Sequence, residues 1–220
     1  MSSPLVVVVG AGGFGRETLD VLAAMTAAGV GPGYRLVGVL DDRPSAVNLD
    51  RLAAHGASYL GPVGDWLDGA RSGRHGAVDY LIGVGDPSAR RQLAGRFDDT
   101  GCHPAVAVHP AAVLGSASTL GPGVVVCAGV QVSTNVRLGA HVHLNPHATI
   151  GHDAQLADFV SVNPAATVSG ECRIGAAALL GAGSMVLQGL AVGAGAVVGA
   201  AACVVRDVDP DVIVKGIPAR

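Results

Sequence analysis

The chain has 220 residues, half of them hydrophobic, and a formal net charge of −3, which is enough apolar content for one large or two small cores. With a pI of about 6.2 it carries no basic footprint for nucleic acid, so small molecules or other proteins are the expected partners. The four cysteines, Cys102, Cys127, Cys172 and Cys203, have no paired metal spacing and read as reduced, packed thiols of a cytoplasmic protein.

The first element is the apolar run LVVVV at residues 5–9. No basic segment precedes it, so it reads as a buried strand and not as a signal peptide. Gly10-Ala11-Gly12-Gly13-Phe14-Gly15 follows, and then the helix-like RETLDVLAAM. Strand, glycine turn and helix together form the context of a nucleotide-binding βα unit. Glycines allow a tight turn and close backbone approach, and the helix start offers N–H groups to a phosphate. A second apolar run, Tyr34 to Leu40, ends in Asp41-Asp42, whose carboxylates are candidates to accept hydrogen bonds from a ribose or base. The pattern then predicts a helix near Leu49 to Ala54, a strand at Tyr59 and a helix from Asp65 to Ala70. A strand from Asp79 to Val84, Gly85-Asp86 and a helix over SARRQLAGRF complete this half. Strand ends at Gly10, Asp41 and Gly85 would line one edge of a parallel sheet, where open α/β folds bind ligands. Arg90 and Arg91 read as solvated charges on a helix face, with phosphate binding as the alternative. A redox dinucleotide fits poorly, because the block ends after about 100 residues without a second mononucleotide half.

After His109-Pro110 the pattern changes completely. Every sixth residue from Val108 to Val204 is Val, Leu or Ile without a break, a period that neither helices nor ordinary strands produce. Hexads of this kind build a parallel β-helix in which three hexads close a coil of about 18 residues. Residues one coil apart then stack at about 4.8 Å. The aliphatic residues point inward as ladders, each coil burying what its neighbour cannot bury alone. Glycine or asparagine directly after the aliphatic residue, as at Gly115, Gly139, Asn145, Gly151, Asn163 and Gly181, is expected where the corner backbone is unusual. Residues 174–205 carry no charge and are long enough to span a membrane. The hexads run through Arg173 and Arg206 undisturbed, however, so membrane insertion is not expected.

Four histidines, His141, His143, His147 and His152, fall in this half within one short band. Their hexad positions differ and no thiol or carboxylate pattern completes a tetrahedral set, so no metal site is expected. Asn145 and Asn163 should stack at one corner as a turn device. His152 is the sharper candidate, since it follows the corner Gly151, faces outward and precedes Asp153. Imidazole exchanges a proton near neutral pH, and a neighbouring carboxylate can fix its tautomer and raise its basicity.

VVGAGGFGRE and VGVLDD, then HPAAVLG, LNPHATIGHD and VNPAATVSG, and a closing KGIPAR together resemble the PglD/NeuD-type sugar acyltransferases along essentially the whole chain. The resemblance implies an α/β Rossmann-like N-terminal domain, residues 1–104, followed by an all-β left-handed parallel β-helix, residues 105–220 with a C-terminal tail. The left hand comes from the resemblance, because crossover rules alone favour the right. It also implies a homotrimer with active sites between adjacent solenoids, acetyl-CoA as acyl donor and a nucleotide-linked amino sugar, UDP being the expected carrier. Carried over residue by residue, the general base falls on His152, the acid beside it on Asp153 and an upstream asparagine on Asn145. Gly170 would offer its N–H to the thioester carbonyl. Gly10, Gly12, Gly13, Phe14, Gly15, Asp41, Asp42 and Gly85 would meet the nucleotide, and Lys215 a CoA phosphate. Many relatives carry a second histidine, used to hold acetyl-CoA, where this chain has Ser161. Ser161 or His143, one coil before it, would take over that contact. Phe159 and His141 are outer-face candidates for subunit contact.

The expected reaction is direct acyl transfer without an acyl-enzyme, since no cysteine is paired with a base. Two other readings stay open at this level: O-acetylation of a sugar hydroxyl, as on a sialic acid, and a catalytically silent scaffold that binds a nucleotide sugar.

Overall fold

A computed structural model describes residues 3–74, 78–98 and 100–220, and the chain divides into two compact units. One comprises residues 1–85 and 89–110, the other residues 86–88 and 111–220. The first unit therefore extends past residue 104, because the chain after Phe97 returns to the sheet. There Tyr80 N–H donates to His103 O, and Ala105 N–H donates to Tyr80 O.

The first unit is a four-stranded parallel sheet of β1 (Leu5–Val9), β2 (Arg35–Leu40), β3 (Tyr59–Gly61) and β4 (Val78–Ile82), in the order β3-β2-β1-β4. Val6, Val7 and Val8 are fully buried, as a central strand covered on both faces requires. Helix α1 (Gly13–Ala28) starts inside the glycine turn and buries Leu19, Leu22 and Met25 on one face. It ends at Gly29 in the left-handed conformation, which returns its N–H to the last helical carbonyls. Helix α2 (Ala46–Ala54) is capped by the Ser45 side chain, which accepts from Asn48 N–H. Helices α3 (Val63–Arg71) and α4 (Pro87–Arg96) follow β3 and β4.

The second unit is a left-handed parallel β-helix built from two-residue strands. Successive strands pass through three sheets in rotation, so that His143–Leu144, Thr149–Ile150 and Gln155–Leu156 lie in three different walls. In each wall strands 18 residues apart pair in parallel, as Arg137 with Gln155 and Gln155 with Arg173. The aliphatic ladder and the small residue four positions later both point inward: Leu144, Ala148, Ile150 and Ala154 are all 0–1% exposed. Each large aliphatic side chain so buried contributes about 1.5–3 kcal/mol.

The corners correct one expectation. Left-handed backbone occurs three residues after the aliphatic one and not directly after it, as at Asn135 (φ 56°), His147 (φ 61°) and Asp153 (φ 61°). The glycines at the earlier position serve coil stacking instead. A Cβ on Gly115 would lie 2.5 Å from the Ser133 carbonyl carbon, and one on Gly151 would lie 2.4 Å from Gly170 N. The neighbouring coil leaves no room for a methyl group there.

Candidate active site

His152 and Asp153 lie on the corner between Thr149–Ile150 and Gln155–Leu156. The left-handed turn at Asp153 brings the two side chains together, with Nδ1 of His152 2.7 Å from Oδ2 of Asp153. Both remain open to solvent, their side chains 57% and 45% exposed. The other oxygen of Asp153 accepts a 2.6 Å hydrogen bond from Nδ2 of Asn135, one coil earlier on the same corner. Asn135 and His152, in that order, hold the Asp153 carboxyl below its ordinary value. Asn135 escaped the sequence reading, although its place 18 residues before Asp153 marks it once coils are counted.

Gly170 closes the arrangement from the next coil. A Cβ there would stand 2.6 Å from His152 Nε2 and 2.7 Å from Cε1. The ring edge thus occupies space that only glycine leaves free. Gly170 is half-buried and lacks the left-handed backbone that would otherwise explain it, and its N–H donates to no backbone carbonyl among the described residues. An imidazole with one nitrogen tied to a carboxylate therefore stands beside the backbone of Gly170. Such a pair can supply what acyl transfer needs: a lone pair to accept a proton and an N–H to donate to an oxyanion.

The remaining solenoid candidates are placed elsewhere. Asn145 lies on the preceding corner, 8% exposed, with its amide donating to Val162 O at 3.0 Å and stacking on Asn163. The structure uses it as a rung of the asparagine ladder and does not bring it to the His152 corner. His143 and Ser161 are strand partners as expected, and both side chains are buried, at 0% and 1% exposure. Lys215 is exposed, its backbone exchanging hydrogen bonds with Arg220. His141, expected on the outer face, is 5% exposed, stacked on Phe159 with ring centroids 5.1 Å apart. Its ring lies across Gly123, where a Cβ would clash. Among the described residues no three His, Cys, Asp or Glu side chains group closely enough to hold a metal ion.

In the first unit the glycines divide into two kinds. Gly10 (φ 110°) and Gly15 are required by packing, since a Cβ on Gly15 would lie 1.8 Å from Gly10 O. Gly83, missed in the sequence, completes this junction, because its own Cβ would lie 2.5 Å from Gly15 Cα. Gly12 and Gly13 have ordinary backbone and open space around them, so the fold does not need them. Beside Gly13 a cleft of about 500 Å3 opens, lined by Arg16, Glu17, Asp20, Arg51 and His55. Burial there raises the Glu17 carboxyl. No side chain caps the start of α1, and Phe14 is half-buried in its first turn.

Asp41 and Asp42 stand at the strand end as expected, but each is tied into the loops. Asp41 accepts from Ala11 N–H at 2.8 Å and Arg43 N–H at 2.9 Å, fastening the glycine turn to the end of β2. Asp42 accepts from Val63 N–H and pairs with Arg96, which holds its carboxyl low. Gly85 is exposed just beyond β4. Arg90 overturns its reading as a solvated charge. It is 0% exposed and donates to the carbonyls of Val84 and Gly85 at 2.8 and 3.1 Å, bracing the chain after β4, whereas Arg91 is exposed.

Comparison with known proteins decides the family. Residues 5–97 match the family described as the PglD N-terminal domain. The acetyltransferase domain of PglB from Neisseria gonorrhoeae, solved in complex with acetyl coenzyme A, is 30% identical with a TM-score of 0.85. That match covers 100% of this chain and 99% of that one. The chain belongs to the PglD/NeuD-type sugar acyltransferases. A further structure, PerB from Caulobacter crescentus in complex with CoA and GDP-perosamine, is 28% identical with a TM-score of 0.85, covering 100% of this chain and 97% of that one. WeeI from Acinetobacter baumannii, at 24% identity and a TM-score of 0.84 over 98% of both chains, shares the fold. No curated protein matches the sequence. The match to this acyltransferase family spans both units, and no helix among the described residues is long and apolar enough to cross a membrane.

Proposed function

We propose that the protein transfers the acetyl group of acetyl-CoA to the amine of a nucleotide-linked amino sugar, with His152 as general base. The observation that carries this reading is the His152 imidazole, held by Asp153 at Nδ1 with Gly170 at its Nε2 edge. The amine nitrogen attacks the thioester carbon, and a new C–N bond forms as the C–S bond breaks. His152 Nε2 takes the amine proton and returns it to the departing CoA sulfur, giving an amide and free CoA thiol. Asp153 supports the imidazolium, and Gly170 N–H meets the carbonyl oxygen as charge develops on it. Holding amine and thioester together supplies much of the acceleration.

PerB, bound to CoA and GDP-perosamine, supports the choice of donor and acceptor classes. The open glycines Gly12 and Gly13, beside a cleft with Arg16 and Arg51, support a diphosphate-bearing acceptor. The same reading takes the working unit as a homotrimer in which a sister chain covers the His152 corner.

The test is thiol release from acetyl-CoA with UDP-, GDP- and dTDP-linked amino sugars, with UDP-linked sugars expected to respond. His152→Ala should lower kcat by about 10²–10⁴-fold, the share a general base supplies, while acetyl-CoA binding is kept. Undiminished turnover in that variant would remove the base, and products acylated on oxygen would replace the amine as acceptor.

A further inference from the structure

We propose that Asn135 is a positioning residue that fixes the tautomer of His152 by holding Asp153. The inference rests on His152 being the base, and it names the group on which that base depends.

Asp153 sits on an exposed corner, where an unsecured carboxylate would turn toward water. Asn135 Nδ2 holds Oδ1 at 2.6 Å, which leaves Oδ2 facing His152 Nδ1 at 2.7 Å. An ionised carboxylate only accepts, so both partners must donate. Asn135 presents its amide N–H and His152 its Nδ1–H, and Nε2 keeps the lone pair that a base requires. The hold on Asp153 shows in its carboxyl, depressed first by Asn135 and then by His152. Gly170 supplies a second constraint, since the Nε2 and Cε1 edge of the ring fills the space of its missing Cβ.

The left-handed corner alone does not require asparagine. Ala117, Ala165, Ala177 and Ala201 occupy equivalent corners at φ of 56–57°. What the amide adds at residue 135 is a donor aimed at the carboxylate of the next coil.

The experiment uses the full chain labelled with 15N in histidine, the His152 resonances being assigned by their loss in His152→Gln. In the wild type the neutral ring should be one tautomer, protonated at Nδ1. Asn135→Gly keeps the corner and removes the amide, and Asn135→Asp keeps the size but replaces the donor with an acceptor. In both, the Nδ1–H share of the neutral ring should fall about tenfold, with Nε2–H becoming the major form, and kcat should fall with that share while KM for acetyl-CoA holds, as expected for a group that orients a base. Melting curves identify any variant that unfolds, and the other variant then decides. A wild-type tautomer ratio in a folded variant overturns the inference. The NMR measurement needs no acceptor, so failure of every amino sugar to accept acetyl would count against the proposed reaction and leave the tautomer result standing.

Discussion

The two units spend glycine differently. In the N-terminal unit Gly10, Gly15 and Gly83 meet at a single junction, where the start of α1 crosses the ends of β1 and β4. In the solenoid one glycine position recurs, and Gly121, Gly139, Gly151, Gly175, Gly181 and Gly193 each face the backbone of the next coil. One unit gathers three glycines at one close approach, with a separate one at Gly38 against Ser58 O, while the other spreads the same device over a stack whose coils touch mainly their neighbours. A methyl group should therefore damage the first unit as a whole and the second locally.

Gly15→Ala should have the largest effect. Its Cβ would lie 1.8 Å from the Gly10 carbonyl oxygen, and backbone meeting backbone has no rotamer to yield. Destabilisation of at least about 3 kcal/mol is expected, the upper part of the overpacking range. Limited proteolysis should then cut the N-terminal unit while the solenoid resists. A variant with the wild-type melting temperature would show that the junction can open.

Within the solenoid a paired substitution separates stacking from backbone conformation. Gly151→Ala places a Cβ 2.4 Å from Gly170 N, whereas Gly183 has φ 64° and nothing within 4 Å of the missing Cβ. Gly151→Ala should cost about 1–3 kcal/mol by overpacking, and Gly183→Ala about 1 kcal/mol for the left-handed backbone. Chemical denaturation of the two variants reads the order. If Gly183→Ala were the more damaging, the corner explanation first read from the sequence would return.

The hexads made the solenoid legible, because a strict period leaves one way to bury the aliphatic ladder, and the same count placed His152 beside Asp153 on an outer corner. Asn135 stayed hidden because it meets Asp153 one coil away, and Gly170 was reached through the family resemblance, while its contact with the His152 ring, also one coil away, was not. Arg90 was misread because local pattern shows a charge on a helix but not the carbonyls of Val84 and Gly85 that receive it. Asp41 and Asp42 were found at the correct strand end, yet their hydrogen bonds to Ala11 and Val63 N–H depend on loop paths that no periodicity encodes.

The smallest effect is electrostatic and again sets the units against each other. Asp42 is held below its ordinary value of 3.8 chiefly by the Arg96 cation, and Asp153 below the same value chiefly by the neutral Asn135 amide. A carboxyl whose pKa is lower folded than unfolded stabilises the fold fully above the unfolded value. That contribution fades as pH falls through the folded one. Arg96→Met should therefore lower the melting temperature slightly at neutral pH, and the gap should close below about pH 4 as Asp42 takes up its proton. Because this pair is partly exposed, salt should also narrow the gap. The hold of Asn135 on Asp153 involves no cation, so the His152 tautomer ratio at neutral pH should be the same in high and low salt. Equal salt sensitivity in the two measurements would mean that one mechanism serves both carboxylates.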